Sequence, residues 1–88
     1  MHSRHISSLP RLWLMTDERM GDALLPSIEA LPKGSGVIFR HYSLGVTERR
    51  TLFDQVRRLA RKRRLILLLA GSAKLARAWK ADGTHGRG

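Results

Sequence analysis

The chain has 88 residues, no cysteine, and a formal net charge of +10. A chain of this length forms at most one small domain, and without cysteine it has no disulfide and no thiolate metal site. No apolar run approaches the ~20 residues that span a bilayer, and the N-terminus lacks the apolar core of a secretory signal. We therefore expect a cytoplasmic protein.

The positive charge is concentrated in the second part of the chain. Residues 1–35 hold four basic and four acidic side chains, whereas residues 36–88 hold thirteen basic and three acidic ones. Such an asymmetry is typical of proteins with an anionic partner, such as nucleic acid, a membrane surface or phosphates. The alternative is a charged helix face that meets only solvent.

The first elements are a lead, a strand and a helix. Residues 1–9 form a predicted disordered lead. Leu12–Met15 is apolar and stops at Thr16 and Asp17, which indicates a buried strand with a polar tip. A helix follows, with Asp22 as its expected cap and Pro26 in its first turn, where the missing N–H is tolerated. Pro32 and Gly34 end this helix.

A second strand is predicted over Gly36–Tyr42, which begins with apolar residues and ends in Arg40, His41 and Tyr42. Alternation along the strand places Arg40 on the face of Ile38, with His41 on the opposite face. An unpaired buried charge is costly. Arg40 therefore either reaches solvent at the strand end or meets an anionic group, and Asp17 is the nearest candidate for an ion pair.

The second half of the chain repeats this unit. Thr47 is the expected cap of a second helix, whose apolar stripe comprises Leu52, Phe53, Val56, Leu59 and Ala60. Leu65–Ala70 is continuously apolar, as in a strand buried on both faces. Ser72 caps a third predicted helix that runs to Trp79, and Ala81–His85 is predicted as a turn. Both tryptophans, Trp13 and Trp79, are predicted core residues.

Strands alternating with helices imply parallel strands with right-handed crossovers. In such folds the functional residues lie at the carboxyl ends of the strands. The residues there are Thr16, Asp17, Arg40, His41, Tyr42, Ala70, Gly71 and Ser72. No glycine-rich phosphate fingerprint follows the first strand, which argues against a nucleotide-binding Rossmann fold.

Three of these segments resemble one family. Leu12–Asp17 resembles the opening strand of thiamine phosphate synthase and the related TenI proteins, and Val37–Tyr42 resembles their second strand. Ala81–His85 resembles their Ala-Asp-Gly-x-His entry to the fourth strand. The resemblance extends from about Leu9 to His85 and implies an α/β fold: a partial eight-stranded β/α barrel (TIM barrel) over residues 10–88. It would have three βα units, parallel strands in the order 1-2-3, and a truncation at the fourth strand.

The resemblance also implies an activity in thiamine biosynthesis. The family couples a pyrimidine diphosphate to a thiazole phosphate and releases pyrophosphate in the presence of Mg²⁺. Arg40 would hold the diphosphate, since a guanidinium fork suits this anion. Further candidate side chains at the strand tips are Asp17, Tyr42, Ser72 and His85. Mg²⁺ is implied by the resemblance only, because the histidines lack metal-ligand spacing.

Four family contacts are replaced in this sequence. Ile38 and Tyr42 stand where the family has Gln and Lys, Ala70-Gly71 where it has Asn-Asp, and Arg87-Gly88 where it has Gly-Gln. We therefore expect this fragment to be inactive alone. A TenI-like thiazole phosphate tautomerase or a degenerate relative is the alternative within the family.

Two further expectations concern partners. The basic residues around the end of the second helix (Arg57, Arg58, Arg61, Lys62, Arg63 and Arg64) are the footprint of a small nucleic-acid-binding module, the rival class of function. An unfinished barrel would also leave one face of the sheet uncovered, with the first and third strands as open edges. Self-association through that face is expected.

Overall fold

The computed structural model describes residues 9–86, which form one parallel four-stranded sheet with helices packed against it. The predicted disordered lead therefore lies outside the described residues, except for Leu9. The elements in chain order are β1 (Trp13–Met15), a 3₁₀ helix (Glu18–Ala23), α1 (Leu24–Glu29), β2 (Gly36–Phe39), α2 (Val46–Lys62), β3 (Ile66–Ala70), α3 (Ala73–Ala78) and β4 (Gly83–His85).

The sheet order is β1-β2-β3-β4, with every neighbouring pair parallel. The parallel order of the first three strands is confirmed, but the prediction of only three strands is wrong. The segment predicted as a turn contains β4, which is held to β3 by side chains as well as by backbone. The Leu67 N–H donates to the Asp82 carboxylate at 2.7 Å, and the Thr84 hydroxyl donates to the Leu69 carbonyl at 3.2 Å. The open edges are therefore β1 and β4 rather than β1 and β3.

All three helices pack on one face of the sheet. The core lies between that face and the helices, and its buried members are Leu24, Ile28, Val37, Phe39, Phe53, Val56, Ala60, Leu65, Leu67, Leu69, Ala76 and Trp79. The Phe53 ring is 5.2 Å from the Phe39 ring and 5.5 Å from the Trp79 ring, so three aromatic side chains join β2, α2 and the end of α3. The prediction that Trp79 is a core residue is confirmed.

Two predicted helix caps are wrong and one is confirmed. Asp22 lies inside the 3₁₀ helix, which Asp17 caps by accepting from the Arg19 N–H, and α1 begins without a side-chain cap. Helix α2 begins one residue before Thr47, after the extended residue Gly45. Ser72 caps α3, because its hydroxyl accepts from the Leu75 N–H at 3.0 Å.

Strand β2 is shorter than predicted. It ends at Phe39, and His41 has φ +35°, in the left-handed region that a side-chain-bearing residue rarely adopts. The chain therefore turns away from the sheet within the predicted strand, and Arg40, His41 and Tyr42 belong to the loop that follows it.

The second face of the sheet has no helix against it. Met15, Ile38 and Leu68 are register partners across this face, and Met15 is 46% exposed at the β1 edge. Trp13 is 37% exposed, so the prediction that it is a core residue is wrong. Its indole lies over Gly36, where a Cβ would come within 2.3 Å of the ring. We call this surface the open face.

Among the helices in residues 9–86, none is long and apolar enough to cross a membrane.

We expect the chain to self-associate through the open face, more strongly at about 500 mM than at about 20 mM salt, because its +10 charge is then screened. Met15→Lys, which places a charge on the face beside the β1 edge, should shift sedimentation towards monomer. Val46→Lys adds the same charge on an exposed helical residue outside the sheet and is the matched control. A wild-type chain that sediments as monomer at both salt concentrations would contradict this prediction.

Candidate functional site

The carboxyl ends of the parallel strands bring several of the predicted site residues to one edge of the sheet. Arg40 follows β2, a central strand, and is half-buried. Its guanidinium carbon is 5.7 Å from the centre of the Tyr42 ring. Within residues 9–86 neither of the two ion pairs involves Arg40. Arg40 therefore offers a charge at the strand tips that no carboxylate of the described chain neutralises.

Asp17 does not pair with Arg40, although it was the nearest expected partner. Its carboxylate pairs with Arg19 at 3.1 Å and also accepts from the Arg19 backbone N–H at 2.8 Å. These hydrogen bonds lower the pKa of Asp17 to about 2, with the Arg40 charge a minor contribution. Asp17 therefore caps the 3₁₀ helix and pairs with Arg19 rather than with Arg40, because Arg19 is only two residues away in the chain.

The Thr16 hydroxyl joins the ends of β1 and β2. Thr16 is fully buried, and its Oγ1 accepts from the Arg40 N–H at 2.9 Å while lying 2.9 Å from His41 Nδ1. The Thr16 hydroxyl and His41 Nδ1 form a second hydrogen bond, whose direction depends on the histidine tautomer. One hydroxyl thus fixes both the backbone of Arg40 and the ring of His41.

His41 packs on the helix side of the sheet, away from Arg40. Its ring is stacked on Phe39 with centroids 4.9 Å apart, and its side chain is buried. Burial lowers the pKa of His41, although the carboxylates of Glu18 and Asp17 oppose this effect. The ring therefore resists protonation and holds a packing position.

Glu18 connects the loops after β1 and β2. Its carboxylate accepts from both the backbone N–H and the hydroxyl of Ser43, the latter at 2.7 Å. The hydrogen bonds from Ser43 lower the pKa of Glu18. This contact holds the loop that carries Arg40 and Tyr42 against the start of the 3₁₀ helix.

Arg49 is the main residue of this region that we did not predict. Its guanidinium donates to the Arg40 carbonyl through Nε at 3.1 Å and Nη2 at 2.8 Å, and to the Ala70 carbonyl at 2.9 Å. It also lies 5.6 to 5.7 Å from the ring centres of Phe39, Tyr42 and Trp79. Burial lowers the pKa of Arg49. The helical spacing could have indicated that Arg49 faces inward, because position 49 falls four residues before Phe53 on the apolar stripe of α2.

Of the remaining predicted site residues, Tyr42 lies near Arg40, whereas Ser72 and His85 do not. Tyr42 is exposed and its ring lies within 5.7 Å of both the Arg40 and Arg49 guanidinium carbons. The Ser72 hydroxyl is engaged in capping α3. His85 is exposed at the end of β4, which is separated from β2 by β3. The structure therefore brings together Arg40, Tyr42 and Arg49, and leaves Ser72 and His85 apart from them.

A groove of about 430 Å³ lies on the helix side of the sheet. It is lined by Glu18, Gly21, Asp22, Leu24, Leu25, Pro26, His41, Leu44, Leu52 and Gln55. Arg40 is not part of this lining, so the groove and the strand-tip cations are separate features.

The acidic side chains near the strand tips do not fit a Mg²⁺ site. Mg²⁺ is bound through carboxylates together with substrate phosphates. Asp17 is engaged by Arg19 and Glu18 by Ser43, and nowhere in residues 9–86 do three acidic or histidine side chains converge in a way that could hold a metal ion. We therefore assign no step to Mg²⁺ in this chain.

Comparison of the chain with protein-family models, with curated proteins and with solved structures gave no match. The fold and the strand tips define an α/β protein with a parallel sheet and cationic side chains at its carboxyl edge.

Arg49→Ala should destabilise the fold by about 2 kcal/mol, because it removes charge-assisted hydrogen bonds to two buried strand ends. Arg49→Lys should recover only part of this loss, since an ammonium lacks the guanidinium fork. Arg50→Ala is the control: Arg50 is the neighbouring exposed residue, and a surface change there costs within about 0.5 kcal/mol. Urea unfolding measures all three, and equal losses for Arg49→Ala and Arg50→Ala would refute the structural role of Arg49.

The lowered pKa of His41 makes the fold less stable in mild acid. The unfolded chain takes up a proton at the ordinary histidine pKa of 6.5 while the folded chain resists it, so stability falls as pH drops through 6.5 towards the lower folded pKa. His41→Asn, which tolerates the left-handed backbone, should flatten this dependence between pH 7.5 and about 5. His85→Gln should keep the slope of the wild type in urea unfolding. A slope that survives in His41→Asn would contradict the assignment.

Proposed function

We propose that this chain is the N-terminal part of a β/α barrel similar to thiamine phosphate synthase and that Arg40 binds the diphosphate of its substrate. The enzyme class is a transferase that couples a pyrimidine diphosphate to a thiazole phosphate and releases pyrophosphate. One observation carries the proposal: Arg40 stands at the carboxyl end of a central parallel strand, and Asp17, the carboxylate at the neighbouring strand tip, is held by Arg19.

The arrangement of the sheet supports a barrel origin. Consecutive strands pair in chain order, and the helices between them lie on one face. This is how successive βα units of a barrel are placed, with the second face of the sheet turned to the barrel interior. The apolar open face, with Met15, Ile38 and Leu68 in register, suits that position. In such barrels active sites lie at the carboxyl ends of the strands, which is where Arg40 lies.

The charges at the strand tips suit a diphosphate. A guanidinium offers a planar fork of donors that matches phosphate oxygens, and it neutralises charge as pyrophosphate leaves. Arg49 adds a second positive charge behind Arg40, since its guanidinium bonds the Arg40 carbonyl and forms no ion pair among the described residues. The bonds that Arg49 makes to backbone also hold the loop from which the Arg40 side chain extends.

The open face limits the role of this chain in the reaction. Ile38 is 5% exposed and lies between Met15 and Leu68, so the position where the family has Gln belongs to an apolar layer. Ala70 is buried where the family begins its Asn-Asp pair. These replacements agree with the expectation that this fragment is inactive alone, and they leave diphosphate binding as the activity that its own residues support.

Calorimetric titration of the full chain with pyrophosphate tests the proposal. Arg40→Ala should weaken binding about 10- to 150-fold, the equivalent of about 1.5–3 kcal/mol for hydrogen bonds to a charged group. Arg58→Ala removes an exposed charge from the middle of α2 and should change the affinity by less than about 2-fold. Equal affinities for the wild type and Arg40→Ala would reject the role of Arg40.

A further inference from the structure

The end of the sheet opposite Arg40 is formed by the loops that lead into β2, β3 and β4. Hydrogen bonds tie these loops together: the Gly34 N–H donates to the Arg64 carbonyl at 3.0 Å, and the Arg61 guanidinium donates to the Lys80 carbonyl at 3.3 Å. The three loops and the last turns of the helices before them therefore form one continuous surface at the amino ends of the strands, which we call the basic end.

Seven exposed cations belong to the basic end: Lys33, Arg61, Lys62, Arg63, Arg64, Arg77 and Lys80. The carboxylates of the same region are Glu29, near the end of α1, and Asp82, which accepts from the Leu67 N–H. Neither ion pair of residues 9–86 includes any of the seven cations. The charge of this surface is therefore left for solvent or for a partner.

The carboxyl end of the sheet is closer to neutral, because its cations lie among acidic side chains. Asp17, Glu18, Asp22 and Glu48 follow β1 and β2 at the carboxyl end of the sheet. Arg57, predicted to belong to the basic stripe, is half-buried, and its Nε lies 3.9 Å from Asp54, so it contributes little to an outward-facing charge. The net positive charge is thus larger at the amino ends of the strands than at their carboxyl ends.

We propose that the basic end binds the phosphate backbone of nucleic acid without reading its sequence. Four of the seven cations are arginines, and a guanidinium fork matches phosphate geometry better than an ammonium does. An anionic membrane fits less well, because the loops that lead into β2, β3 and β4 carry no large exposed apolar side chain among the described residues. The surface carries no base-reading motif, so affinity comes from phosphate neutralisation alone.

This binding has a characteristic salt dependence. A single strand that engages about four phosphates gives a slope of about −3 in a plot of log affinity against log salt concentration. Raising the salt from about 50 to about 200 mM then weakens binding about 60-fold. The site is independent of the proposed diphosphate site, because Arg40 lies at the opposite end of β2.

Fluorescence anisotropy of a labelled 20-nucleotide single strand, with the full chain, tests the proposal. The variant Lys62→Gln/Arg63→Gln/Arg64→Gln removes three exposed charges whose side chains form no described hydrogen bond within residues 9–86. It should weaken binding at least 10-fold at about 50 mM salt and reduce the slope by about 2. The matched control, Arg50→Gln/Arg58→Gln/Lys74→Gln, removes three exposed charges that lie outside the basic end and should keep most of the affinity and the slope.

A second variant and two further binding measurements complete the experiment. Lys33→Gln/Lys80→Gln changes the two other loops and should also weaken binding, which keeps the test valid if the first variant misfolds by circular dichroism. Pyrophosphate titration should be unchanged in both basic-end variants. Equal losses in the basic-end and control variants would overturn the proposal, as would no binding by the wild type. Association with phosphatidylserine vesicles but not with the oligonucleotide would overturn it in favour of a membrane partner.

Discussion

The Arg49 guanidinium donates to one carbonyl at the end of each of two neighbouring strands: that of Arg40, just after β2, and that of Ala70, the last residue of β3. A carbonyl removed from water without a donor is costly, so this contact stabilises both strand ends. The same guanidinium lies against Phe39 and Trp79, and Phe53 joins those two rings from α2. The apolar core and the polar strand tips are therefore fixed by one side chain.

The position of Arg40 follows from this arrangement. Its N–H is held by Thr16 and its carbonyl by Arg49, so both backbone groups of the residue are engaged while its side chain carries no ion pair within the described part of the chain. A cation on a fixed backbone is pre-organised for an anion, because little ordering remains to be done on binding. Asp17 and Glu18 in the neighbouring loop are engaged by Arg19 and Ser43, which keeps these two carboxylates from competing.

The parallel order of the strands was predictable, because alternating strand and helix patterns allow few other connections. Ser72 as a cap and Trp79 as a core residue were also readable from local spacing. Residues whose roles depend on distant partners were not. Strand β4 forms around the Asp82 and Thr84 side chains, which find acceptors and donors on β3. Asp22 and Thr47 are residue types that favour helix caps. The N-cap of the 3₁₀ helix is nevertheless Asp17, and the N-cap of α2 is Gly45.

Arg49 and Trp13 show the two ways in which residue type alone misleads. An arginine on the apolar stripe of a helix looks like a break in the pattern until the carbonyls of the neighbouring strand ends are placed beside it. A tryptophan in an apolar run looks like core, yet Trp13 lies on the face that no helix covers, over a glycine. In both cases one deciding partner, Ala70 for Arg49 and Gly36 for Trp13, is more than 20 residues away in sequence, where local patterns carry no information.

The Thr16 hydroxyl adds one hydrogen bond between the ends of β1 and β2, beyond those of the backbone. Strand β1 has only three residues, and the backbone pairing with β2 continues through the Thr16 N–H to the Ile38 carbonyl before the side chain takes over at Arg40. Thr84 extends β4 towards Gly71 in the same manner. Hydroxyl side chains thus extend the pairing of both edge strands beyond their backbone hydrogen bonds. A single substitution at Thr16 or Thr84 would remove one of these hydrogen bonds while the strand order and the loop lengths stay constant.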